Sequence, residues 1–142
     1  MPNAAVNGLS LYFERAGTGE PLLFISGTGG DLRNKPNQFD GPLAKAFDMI
    51  SYDQRGLGRS DKPDQPYTMA DYADDAASLM ESQGWDRAHV VGVSFGGMVA
   101  QELALRHPQR VGRLVLACSS PGGAGGASFP FHEIGHLEGE AR

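Results

Sequence analysis

Four short strand-like runs, Leu22–Ile25, Met49–Tyr52, His89–Val93 and Leu114–Ala117, recur along this chain with helix-forming stretches between them. Leu22–Ile25 and Leu114–Ala117 are continuously apolar, as in strands buried on both faces. Strands alternating with helices are the pattern of a parallel sheet, and right-handed crossovers then lay helices on both of its faces. The pattern predicts an α/β fold with a mostly parallel sheet. Ahead of it, Ala4–Val6 and Leu9–Arg15 flank Asn7-Gly8 and read as a hairpin closed by a type I′ turn.

The intervening helices carry their own signals. Phe39, Leu43 and Phe47 recur every four residues and mark one face of a short helix. Thr68 with Asp71 forms a capping box ahead of the apolar stripe Tyr72, Ala76, Leu79 and Met80, and Gly84 is a C′ stop. Met98–Arg106 is helical and ends before Pro108. Beyond Ser119 the alternation fails. Pro121–Gly126 is a loop rich in glycine and proline, and Phe129–Arg142 shows no clear period. Residues 1–120 therefore form one core unit, and 121–142 stand apart.

Composition narrows the function. A length of 142 residues suits one domain, and twenty glycines with nine prolines punctuate short elements. The formal charge of −5, with no cluster of Lys and Arg, argues against a nucleic-acid partner. The longest apolar runs are about five residues, far short of the ~20 that span a bilayer. A single cysteine, Cys118, and the lack of a secretory signal pattern point to the cytoplasm.

The chemistry concentrates at Gly92-Val93-Ser94-Phe95-Gly96, which matches G-x-S-x-G. The match stands where a strand gives way to a helix, the context of a nucleophile elbow. Such a turn strains the serine backbone and leaves no room for Cβ atoms at its neighbours, which explains Gly92, Gly96 and Gly97. Ser94 is thus the candidate nucleophile. Acyl transfer also needs amides to receive charge on the carbonyl oxygen. One is expected from Phe95, at the positive end of its helix. The second is expected from the loop Ser26-Gly27-Thr28-Gly29-Gly30, with Thr28 as the donor and Gly27 and Gly29 supplying freedom to turn it.

Three segments, SGTGG at 26–30, DQRGLGRSD at 53–61 and GVSFGGMVAQ at 92–101, together resemble the α/β-hydrolase superfamily. The likeness lies in its esterase, lactonase and cofactor-free haloperoxidase branch, near 3-oxoadipate enol-lactonases, and covers residues 4 to 120. It implies the N-terminal part of an α/β-hydrolase fold lacking the last strands, and a serine hydrolase of carboxylic esters or lactones needing no metal or organic cofactor. Members often carry His-Gly where this chain has Ser26-Gly27, a change that leaves a backbone donor intact. Asp53 and Arg55 are expected to brace loops rather than to catalyse.

In this fold the acid and the histidine follow the serine in chain order. The resemblance puts both after later strands, with a cap often inserted first, and 121–142 would begin that cap. Only one further strand is predicted after Ser94. His89 lies at the opposite end of its strand and His107 at the far end of the next helix, so neither is expected to serve as base. The chain is therefore expected to be a fragment, half of a split enzyme, or a truncation product. Its Leu114–Ala117 strand would be an apolar edge needing cover from the rest of the enzyme, another copy or another chain. A non-catalytic binding module is the alternative. His132-Glu133-Ile134-Gly135-His136 also matches the zinc-protease pattern H-E-x-x-H. Gly135 and Gly139 weaken the required helix, and Arg142 occupies the place of a third histidine, so no metal site is expected there.

Overall fold

A computed structural model describes residues 2–122. The chain opens with β1 (Asn3–Val6) and β2 (Leu9–Ala16), an antiparallel hairpin. Its turn residues Asn7 and Gly8 have φ of 49° and 78°, the left-handed pair that a type I′ turn requires. Strands β3 (Pro21–Ile25), β4 (Asp48–Tyr52), β5 (Ala88–Val93) and β6 (Val111–Ala117) complete one six-stranded sheet in the order β1-β2-β4-β3-β5-β6. β2 joins β4 antiparallel, and β4, β3, β5 and β6 run parallel.

The crossovers decide which face each helix takes. The step from β3 to β4 runs one way along the sheet and carries α1 (Leu43–Ala46); the steps from β4 to β5 and from β5 to β6 run the other way and carry α2 (Met69–Ser82) and α3 (Phe95–Arg106). With one handedness throughout, α1 falls on the opposite face from α2 and α3. Packing agrees. Gly92 faces Gly97 and Ala100 of α3, so its face partners Leu23, Ile25 and Val90 lie beneath the larger helices and form the main core with Leu79, Val99 and Leu103. On the other face, the Phe47 ring meets the edge of His89 at 6.3 Å.

Helix α2 shows how local sequence sets its limits. The Thr68 hydroxyl accepts the Asp71 amide at 3.1 Å, and the Asp71 carboxylate accepts the Thr68 amide at 2.8 Å. These bonds hold the Asp71 carboxyl below its ordinary range. At the other end Gly84 has φ of 77°, and the Gly84 and Trp85 amides return to the carbonyls of Glu81 and Met80, which is a Schellman closure. Three stretches differ from expectation by more than one residue. The 39–47 stretch is a single turn (Gln38–Asp40) and the separate α1, because Gly41-Pro42 interrupts it. Helix α3 starts at Phe95, directly after Ser94, and β6 starts at Val111 rather than Leu114.

β6 closes the sheet among the described residues. Leu114, Val115 and Leu116 are 37%, 54% and 43% exposed. Leu105, four residues beyond the Gln101 that bonds the Ser120 carbonyl, is 79% exposed on the flanking side of α3. No helix among the described residues is long and apolar enough to cross a membrane.

Candidate active site

Ser94 sits alone between β5 and α3 with φ of 55° and ψ of −120°. Non-glycine residues rarely adopt positive φ, and such a backbone costs about 1–3 kcal/mol and persists only where its surroundings impose it. The surroundings here are specific. The Ser94 amide donates to the Ala117 carbonyl at 2.9 Å, and its carbonyl accepts both the Gly97 amide and the Ser119 hydroxyl at 2.9 Å. A Cβ on Gly92 would stand 2.5 Å from the Gly96 carbonyl oxygen and 2.7 Å from Gly97 Cα, and one on Gly97 would overlap the Ser119 side chain. The Ser94 side chain caps nothing and is exposed. It stands at the C-terminal edge of a parallel strand, where open α/β sheets bind ligands.

The loop after β3 lies against it. A Cβ on Gly27 would meet Ser94 Cβ at 3.2 Å and Ser94 Oγ at 3.8 Å, so a side chain there would press on Ser94, and glycine lets the loop come near without displacing it. Gly29 has φ of 73°, and the Gly30 amide turns back to the Gly27 carbonyl at 3.1 Å. Among the described residues neither the Thr28 nor the Phe95 amide has a protein acceptor. Thr28 and Phe95 share the wall of one cleft of about 340 Å³, with Arg55, Leu57, Tyr67 and Tyr72. Tyr72 meets Tyr67 and Phe95 edge-on at 5.9 and 5.1 Å, which makes that wall aromatic. The hydroxyl of Ser94, next in the chain to Phe95 and against Gly27, neighbours the two unengaged amides, an arrangement that can deliver a nucleophile and receive the charge it generates.

The 53–61 loop frames the cleft. Asp53 accepts the Leu32 and Arg59 amides at 2.8 and 2.9 Å. Arg55 is fastened to Asp75 by two bonds of 2.6 and 2.9 Å, with Asp71 3.9 Å away, and its guanidinium lies 5.5 Å from the Tyr67 ring centroid. Its charge is thus engaged with Asp75, although it borders the cleft. Sequence reasoning missed Gln54, whose Nε2 donates to the Ser26 carbonyl at 3.0 Å, and Ser119. Neither lies in a pattern that announces its partner.

The two histidines of the described chain are occupied elsewhere. His89 contacts Glu20 at 3.1 Å and accepts the Arg113 amide at the start of β5, and His107 contacts Asp74 at 2.7 Å beyond the end of α3. A second concavity of about 370 Å³, between Phe47, Leu22 and Val115, contains none of the candidate site residues. No group of three or more His, Cys, Asp or Glu among the described residues is placed to hold a metal ion. His132 and His136, with the rest of 123–142, lie outside those residues.

Comparison with known proteins adds to this geometry. Residues 20–141 match the family described as alpha/beta hydrolase fold. The chain is 40% identical, over 98% of its length, to the dihydrolipoyllysine-residue acetyltransferase component of the acetoin cleaving system of Cupriavidus necator, covering 37% of that protein. It is 42% identical, over 78% of its length, to the putative carbamate hydrolase RutD of Yersinia enterocolitica, covering 41% of it. Among solved structures, the enol-lactonase from Burkholderia xenovorans LB400 superimposes with a TM-score of 0.73 at 34% identity, covering 80% of this chain and 45% of that one. The chain spans less than half the length of each.

Proposed function

The chain belongs to the α/β-hydrolase-fold family, and we propose that it supplies the nucleophile and oxyanion hole of a serine hydrolase acting on carboxylic esters or lactones. The observation that carries this reading is the backbone of Ser94: a positive-φ serine between a parallel strand and a helix, against a glycine loop. Strain of this kind clusters at active sites and ligand clamps. Ser94 Oγ adds to the carbonyl carbon while a general base takes its proton. The oxygen, now carrying negative charge, is received by the Phe95 and Thr28 amides. Collapse expels the alcohol, which takes the proton from the base, and leaves an acyl-Ser94 ester. Water, deprotonated by the same base, then adds to that ester; Ser94 leaves with the proton and the carboxylic acid is released.

The base and its orienting acid are assigned to polypeptide outside residues 2–122, since His89 and His107 are bound elsewhere. Residues 121–142 are assigned to the start of a cap. The exposed side of β6 and Leu105 is assigned to contact with the rest of such an enzyme or another copy of the chain. The proposed setting is the cytoplasm, on the strength of a single free cysteine, Cys118. Small-angle scattering of the 142-residue chain alone is expected to report self-association through that edge; a compact monomer would count against it.

A fluorophosphonate probe tests the chemistry. In an assembly that completes the site, labelling is expected at Ser94 and is lost in Ser94→Ala. Absence of labelling in every assembled form would favour a non-catalytic module, as the carbamate hydrolase and enol-lactonase likenesses do not.

A further inference from the structure

The loop that carries Thr28 is held at both ends by two consecutive side chains of another loop. At its start, Gln54 Nε2 donates to the Ser26 carbonyl at 3.0 Å; at its end, Asp53 Oδ1 accepts the Leu32 amide at 2.8 Å. Asp53 is itself fixed, since Oδ2 accepts the Arg59 amide and its carbonyl accepts the Ser60 hydroxyl. Both side chains are buried. Between the two anchors the loop includes Gly27, Gly29 and Gly30, which impose little conformation of their own. A pliant segment tied at two points takes its course from them. The Ser26 carbonyl and the Gly27 amide share one rigid peptide plane, so the Gln54 bond orients the backbone immediately before Thr28.

Gln54 also keeps a group that packing alone would not retain. Its Oε1 is buried with no hydrogen-bond partner among the described residues, and an unmet buried acceptor is unfavourable. An apolar side chain of equal length would fill the same space without that penalty. The bond to Ser26 is what such a replacement would lose.

We propose that Gln54, together with Asp53, is a positioning residue that aims the Thr28 amide at the oxyanion. This rests on the reading of Ser94 and Thr28 given above. Gln54 touches no reacting atom and acts through the Ser26 peptide.

Gln54→Met, made in the same assembled protein used for Ser94 labelling, separates this role from support of the fold. Methionine matches glutamine in length and removes both the donor and the unmet acceptor. At saturating fluorophosphonate the labelling rate is expected to fall about tenfold or more, less than the hundred- to thousandfold lost with a whole oxyanion donor. The half-saturating probe concentration and the thermal midpoint are expected to stay close to the parent's. Gln54→Asn keeps the carboxamide but is a methylene too short for Ser26, and is expected to share the defect, so the result does not hang on methionine packing. Parental labelling rates in these variants would overturn the positioning role while leaving Ser94 as nucleophile. So would a loss that merely follows the loss of folded protein. A parent that never labels at Ser94 would overturn both readings together.

Discussion

Asp75→Ala is expected to remove about 3–5 kcal/mol of folding stability, the loss incurred when one partner of a buried ion pair is deleted. Arg55 and Asp75 have side chains only 6% and 1% exposed and meet through two parallel bonds. Deleting the carboxylate strands a guanidinium in the interior, with Asp71 3.9 Å away as its remaining acidic neighbour. It also removes the bond by which Asn7 Nδ2 donates to Asp75 at 3.0 Å, leaving the bond from the Ser78 hydroxyl at 3.3 Å as the remaining hydrogen bond of Asn7 to α2. Urea unfolding of parent and variant measures the loss. Asp75→Asn, which keeps the shape and part of the bonding, is expected to lose less than alanine. A loss below about 1 kcal/mol for Asp75→Ala would mean that the pair is far better solvated than its burial implies. Because Arg55 also walls the cleft, the same variant is expected to slow labelling of Ser94 beyond what the loss of folded protein accounts for.

Gly96→Ala is expected to destabilise by about 3 kcal/mol, at the upper end of the usual cost of overpacking. A Cβ at Gly96 would overlap the Ile25 carbonyl oxygen and stand 2.5 Å from that of Ser26. Both are main-chain atoms at the end of a central strand, so relief requires moving β3 or the first turn of α3. Either motion parts Ser94 from the Gly27–Thr28 loop, and labelling is expected to vanish with the stability. Gly41→Ala is the control. Its Cβ would meet only the Gln38 carbonyl oxygen, at 3.6 Å, and a change within about 0.5 kcal/mol is expected. Comparable losses at the two positions would remove steric contact as the explanation.

Those two sites mark the boundary between what the sequence declares and what it conceals. The hairpin at Asn7-Gly8, the cap at Thr68 and Asp71, the stop at Gly84 and the strand–serine–helix junction are all local: partners lie within a few residues, and the backbone demands a particular side chain. The 39–47 stretch splits into two short turns at Gly41-Pro42, a break that spacing alone does not register. β6 begins three residues before its apolar run; Gly112 and Arg113 break the pattern, yet Val111 pairs with Ala88 of β5. Arg55 with Asp75, Gln54 with Ser26, Asp53 with Leu32 and Ser119 with Ser94 are twenty or more residues apart. The expectation that Asp53 and Arg55 brace loops carried no partner names, since nothing in DQRGLGRSD says which backbone it will grip. Their pairing follows from the completed sheet, which brings the ends of β3, β4 and β5 together.

The peptide amide of Ser94 is tethered to Ala117, at the end of β6, and its carbonyl to Ser119 just beyond it, so the Ser94 turn hangs from the outermost strand among the described residues. Outermost strands fray first, being hydrogen-bonded on one flank alone. A contact along that flank would therefore stiffen the Ser94 turn at a distance, without touching it.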